Sequence, residues 1–83
     1  MDIDQKLIER LSADPDRKAD VILCGRFNAD VIDRVGQAGV VIKDRSQADD
    51  GLLFARLDRR ALLAVQDVEG VDSVSGDETQ YAL

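Results

Sequence analysis

Two segments of similar pattern follow one another along the chain, and each predicts a strand, a helix and a second strand. The strand segments are short apolar runs rich in β-branched residues, whereas the helical segments carry apolar residues three or four positions apart. The six predicted elements, in order, are a strand at 20–25, a helix at 29–38, strands at 40–45 and 52–57, a helix from 59 to about 67, and a strand at 71–75. This order restricts the chain to a few α+β topologies.

Capping residues support these boundaries. Asn28 and Asp58 stand where helix N-caps belong, and Gly39 follows the first of the two helices, where a left-handed C-terminal residue is common. A further short helix is predicted at 4–11, and Pro15 terminates it because proline cannot continue a helix.

With right-handed crossovers, two such units interleave into a ferredoxin-like βαββαβ fold of class α+β. This fold is a four-stranded antiparallel sheet with two helices on one face, and here it has an additional short N-terminal helix. The 83 residues allow one domain. We expect an N-terminal helical extension at 1–18, the ferredoxin-like domain at 19–76 and an extended tail at 77–83.

One face of such a sheet is left without helices. The alternate residues of the third strand form two sets, Leu53, Ala55 and Leu57 on one side and Leu52, Phe54 and Arg56 on the other. A charge belongs outside, so Arg56 assigns Leu52 and Phe54 to the open face. Exposed large apolar side chains indicate a docking surface; the alternative is that the N-terminal helix folds over them.

Composition argues against several classes of partner. The net charge is -6 and the 11 Lys and Arg residues are scattered, which disfavours nucleic acid and anionic membranes. There is no apolar run of membrane-spanning length and no signal-peptide pattern, so we expect a cytoplasmic protein if Met1 is the native start.

Catalytic chemistry has little support. The chain has no His, and its single Cys, Cys24, lies in an apolar strand. The carboxylate pairs at 49–50 and 77–78 lack the spacing of a calcium loop, and no glycine-rich phosphate loop precedes a helix. We therefore expect no enzymatic activity, no metal and no cofactor.

The segment 77–83 contains no Gly or Pro and no helical period, and it ends on Leu83. An extended strand with an apolar last residue is what a protease cleft binds by strand addition. The alternative is a frayed terminus.

From residue 21 onward the chain resembles the propeptide-type inhibitors of subtilisin-like serine proteases, the inhibitor I9 family. The matching motifs, in order, are Val21-Ile22-Leu23, Gly39-Val40-Val41, the strand from Gly51 to Leu57, Asp58-Arg59-Arg60-Ala61-Leu62, Gly70-Val71-Asp72-Ser73-Val74, Asp77 and Tyr81-Ala82-Leu83. The resemblance implies a protease inhibitor or a folding-assisting propeptide (an intramolecular chaperone), monomeric when free, whose bare sheet face docks on two helices of the protease.

The resemblance also assigns roles to the tail. Leu83 would fill the primary specificity pocket, and Ala82, Tyr81 and Gln80 would occupy successive subsites. Asp77 would cap the N-terminus of a protease helix.

The chain departs from the family pattern at two positions. Ser75 replaces a usual second capping carboxylate, and Gln80 stands where a small or apolar residue is usual. Two other functions remain open. One is a regulatory or small-ligand module of the same topology, similar to ACT domains, and the other is a domain that pairs with itself through its bare sheet.

Overall fold

The computed structural model describes residues 2 to 76. It contains five strands and three α-helices, and a short 3-10 turn lies at Ala48–Asp50. In chain order these elements are β1 (Asp2–Ile3), α1 (Gln5–Ala13), β2 (Ala19–Gly25), α2 (Ala29–Gln37), β3 (Val41–Asp44), β4 (Leu52–Leu57), α3 (Arg59–Val65) and β5 (Val71–Gly76). The chain is a small α+β protein.

The strands form one mixed sheet in the order β1-β5-β2-β4-β3. β2 pairs antiparallel with β4 and β5, and β3 pairs antiparallel with β4, whereas β1 runs parallel to β5. The four strands that were predicted are antiparallel to their neighbours, and the structure adds to them a fifth strand, β1, which makes the sheet mixed. This additional strand, β1, is only two residues long. Its pairing with β5 is extended by a hydrogen bond of 3.0 Å from the Asp4 backbone N–H to the Val74 carbonyl.

The helices begin at residues whose side chains satisfy free backbone N–H groups. Asn28 accepts a hydrogen bond from the Val31 N–H at 2.9 Å, and Asp58 accepts one from the Ala61 N–H at 2.9 Å. The Asp4 carboxylate does the same for α1, accepting from the Lys6 N–H at 3.0 Å. The caps at Asn28 and Asp58 confirm the predicted starts of α2 and α3.

The turn before β5 requires glycine. Gly70 has φ +101°, and a Cβ there would press against the Val31 side chain and the Arg26 carbonyl oxygen. The Arg26 N–H also donates to the Gly70 carbonyl at 2.7 Å. This close approach ties the start of α2 to the start of β5.

One aliphatic core lies between the sheet and the helices. It includes Leu7 and Leu11 of α1, Val35 of α2 and Val65 of α3, together with inward residues of the strands such as Leu23. Because α1 buries its apolar face in this same core, it does not fold over Leu52 and Phe54, which was the alternative considered for the open face. Residues 2–13 thus belong to the same packed unit as the rest of the described chain.

Candidate docking face

The sheet face opposite the helices is here called the open face. It is defined by residues of four strands: Asp20, Ile22 and Cys24 of β2, Leu52, Phe54 and Arg56 of β4, Ser73 and Ser75 of β5, and Val41 and Lys43 of β3. The intervening residues of β4, Leu53 and Ala55, are buried in the core. The alternation of β4 therefore puts Leu52, Phe54 and Arg56 on the open face of the sheet, the side on which they were predicted to lie.

An apolar patch occupies the middle of the open face. Ile22 lies opposite Phe54, and Cys24 lies opposite Leu52, in the β2–β4 register. All four side chains are partly exposed, and none of them belongs to the hydrophobic core or packs against it. Within residues 2–76, no helix covers this patch, so its apolar surface is available to a partner.

A charged cluster borders the apolar patch. Asp20 is only 7% exposed, and its Oδ1 accepts hydrogen bonds from Lys43 Nζ at 2.9 Å and Arg56 Nε at 3.1 Å. The hydrogen bond from Lys43 is the largest cause that holds the pKa of Asp20 below its usual range; the hydrogen bond from Arg56 and both positive charges add to it, against the opposing effect of burial. Asp20 is therefore ionised at neutral pH and fixes both cations on this face.

The β5 side of the face is polar. Ser75 lies opposite Ile22 in the β2–β5 register, and its Oγ donates to the Ile22 carbonyl at a long 3.5 Å. Two residue groups with predicted roles, Asp77 and the tail residues Gln80, Tyr81, Ala82 and Leu83, lie outside the described residues. The structure thus brings together four of the nine predicted site residues: Leu52, Phe54, Arg56 and Ser75.

Sequence reasoning missed the contribution of β2 to this face. A continuous apolar run such as 20–25 is typical of a strand covered on both faces, but Ile22 and Cys24 are only partly buried because no described element lies over them. The sequence did contain a signal for this exposure. Asp20, Ile22 and Cys24 alternate along the strand and therefore share one side of it, and the charged Asp20 marks that side as the one open to solvent. Lys43 had no comparable signal, because its contact with Asp20 joins β3 to β2 across β4 and so depends on the order of the strands in the sheet.

Other kinds of site find no support in the described part of the chain. No group of three or more Cys, Asp or Glu side chains there is arranged to hold a metal ion, and none of its helices has the length and apolar character to span a bilayer. Comparisons of the chain with protein-family models, curated proteins and solved structures found no match. A functional assignment therefore depends on the open face itself.

Proposed function

We propose that this chain is a non-enzymatic inhibitor, or folding-assisting propeptide, of a subtilisin-like serine protease. In this proposal the open face docks on the protease and the tail residues 80–83 lie in the active-site cleft in the manner of a product. The observation that carries the proposal is the uncovered apolar patch of Ile22, Cys24, Leu52 and Phe54 on a small domain whose other sheet face is fully packed.

The strand order supports the fold on which the resemblance depends. Without β1, the remaining strands lie in the order β5-β2-β4-β3, all antiparallel to their neighbours. Two interleaved strand–helix–strand units produce this arrangement, and a ferredoxin-like description accounts for four of the five strands. The two-residue β1 is then an addition at the outer edge of β5.

The position of Gly76 supports a joint use of face and tail. Gly76 ends β5 opposite Val21 of β2, the strand that carries Asp20, Ile22 and Cys24. The seven residues after Gly76 can reach up to roughly 25 Å when extended. A partner seated on the open face can therefore be reached by the tail, and two linked contacts bind more tightly than either contact alone.

Inhibition assays test the proposal. The purified chain is titrated against a panel of subtilisin-like proteases, with residual activity as the readout. Removing Leu83 should weaken inhibition roughly tenfold to a hundredfold, because a buried Leu side chain contributes about 1.5–3 kcal/mol. Removing residues 80–83 should weaken it further, since the hydrogen bonds of the added strand are lost as well.

A matched pair of variants tests the docking face. Phe54→Asp places a charge on the apolar patch and should abolish tight inhibition, because that charge would have to be buried in the complex. Leu63→Asp makes the same type of change at an exposed position of α3, where Leu63 is 56% exposed, and should leave inhibition intact. If no protease is inhibited at micromolar concentration, or if both variants and both deletions leave the inhibition constant unchanged, the proposal fails and a regulatory module of similar topology takes its place.

A further inference from the structure

The two cations of the open face, Lys43 and Arg56, are held in place by Asp20, but most of their hydrogen-bond donors have no partner among the described residues. Lys43 and Arg56 each make one hydrogen bond to Asp20 Oδ1, and among the described residues neither side chain makes another. A lysine ammonium has three donors and a guanidinium has five. The side chains are 36% and 49% exposed, so their remaining donors face solvent beside the apolar patch.

The balance of charge at this cluster is unlike that of the whole chain. One carboxylate and two cations leave a surplus of +1 in a chain whose net charge is -6. Asp44, at the end of β3, lies opposite Phe54 in the β3–β4 register, and its Oδ1 accepts from the Ser46 backbone N–H at 2.8 Å. Within residues 2–76, Asp44 forms no ion pair with Lys43 or Arg56.

Stability is a weak explanation for such a cluster. Removing a carboxylate from water costs free energy that its ion pairs only partly return, and well-packed apolar residues often do as well. Charged groups at an interface chiefly select the partner and fix its orientation. A buried Asp20 beneath two half-exposed cations is suited to this second role.

We propose that the partner docking on the open face presents a carboxylate to Lys43 and Arg56, beside the apolar surface that covers Phe54. This inference rests on the proposed function and adds the chemistry of the partner's contact surface. Ser75 lies on β5, the strand next to the one that carries Asp20, so its hydroxyl is a second polar group of the open face, separate from the cations. The partner surface would thus carry a hydrogen-bonding group near Ser75 and an acidic side chain near Lys43 and Arg56, and these two contacts together fix one docking orientation.

The test uses the full chain and a subtilisin-like protease that the wild-type chain inhibits. The double variant Lys43→Gln/Arg56→Gln removes two positive charges from the open face. Its matched control, Arg59→Gln/Arg60→Gln, removes two positive charges from exposed positions on α3. At low salt we expect the inhibition constant to be roughly tenfold larger for the double variant and to change less than about twofold for the control.

A triple variant distinguishes a loss of binding from a loss of folding. Removing both cations leaves Asp20 as a buried carboxylate without partners, which can destabilise the domain. Adding Asp20→Asn removes that charge as well, so the triple variant should fold and should show the same tenfold loss. The loss in both variants should shrink at about 1 M salt, where charge interactions are screened beyond roughly 3 Å.

Each outcome has a separate meaning. If the wild-type chain inhibits and the triple variant inhibits equally well at low salt, the acidic partner surface is excluded while the proposed function stands. If the wild-type chain inhibits no protease, the proposed function fails and this inference fails with it. If Asp77→Asn/Glu78→Gln produces the same loss and the effects are not additive with those of Lys43 and Arg56, the cations serve the chain's own tail, which also overturns the inference.

Discussion

The two faces of the sheet are built from alternate residues of the same strands, but they follow different rules. On the helix side, Leu23 and Leu53 pack into a continuous aliphatic core and are fully buried. On the open side, their direct neighbours Cys24 and Leu52 remain partly exposed, and the charged residues Asp20 and Arg56 occupy the same face four positions away along each strand. The comparison shows that one face is determined by the folding of the chain itself, whereas folding does not account for the composition of the other, and it is this composition that the proposed docking would explain.

The largest expected difference between the faces is in stability. Leu53→Ala should lower the free energy of unfolding by about 2–5 kcal/mol, because it leaves a cavity in the core. Leu52→Ala, the same change one residue earlier, should cost less than about 1 kcal/mol, since that side chain is already partly in water. Urea unfolding followed by circular dichroism measures both values. Equal losses would mean that the open face is part of the core.

The next expected effect concerns the ion cluster. Asp20→Asn should lower the free energy of unfolding by about 1–2 kcal/mol at neutral pH, because charge-assisted hydrogen bonds to Lys43 and Arg56 are weakened while both cations keep access to water. Asp33→Asn provides a control for loss of one negative charge, since among residues 2–76 its carboxylate bonds only the exposed Gln37 side chain. Similar losses in the two variants would show that the cluster contributes nothing to folding.

The same carboxylate predicts a dependence on pH. The pKa of Asp20 is lower in the folded chain than in the unfolded chain, so its stabilising effect is complete above the unfolded value and is lost as the pH falls toward the folded value. The wild-type chain should therefore lose stability more steeply below about pH 4 than Asp20→Asn does. Thermal unfolding across this range measures the two slopes, and parallel curves would contradict the assigned pKa. Asp44, whose pKa is lowered by its hydrogen bonds with Ser46, contributes equally to both curves.

The smallest expected effect is the most informative about the open face. Phe54→Asp should lower the stability of the free domain by only about 1 kcal/mol, since Phe54 lies outside the core, although it is partly buried and lies opposite Asp44. The same variant should abolish docking, so inhibition should be lost while the free domain stays folded. If the free domain instead unfolds, Phe54 supports the fold and the apolar patch is not a free surface.

Local patterns were sufficient to predict most of the elements. The starts of α2 and α3 follow from Asn28 and Asp58, whose side chains cap the nearest free N–H groups. The division of β4 into two faces follows from the position of Arg56, because successive residues of a strand point to opposite sides. Capping and alternation depend on neighbours in sequence, which is why they can be predicted.

Three features depended on residues far apart in the chain. β1 exists because Asp2 and Ile3 pair with the free edge of β5, some seventy positions away, and no two-residue pattern predicts a strand. α1 lies on the helix side because Leu7 and Leu11 find room in the core there. The Asp20 cluster joins residues of three strands.

The sequence by itself determined the order of the elements, their caps and the parity of β4, since these are set by interactions within a few residues. The tertiary structure alone decided that β1 forms, on which side of the sheet α1 packs, and that Lys43 and Arg56 lie over Asp20. The physical reason is that these contacts form only when distant segments are brought together, and a pattern of neighbouring residues carries no information about which distant segment will be met.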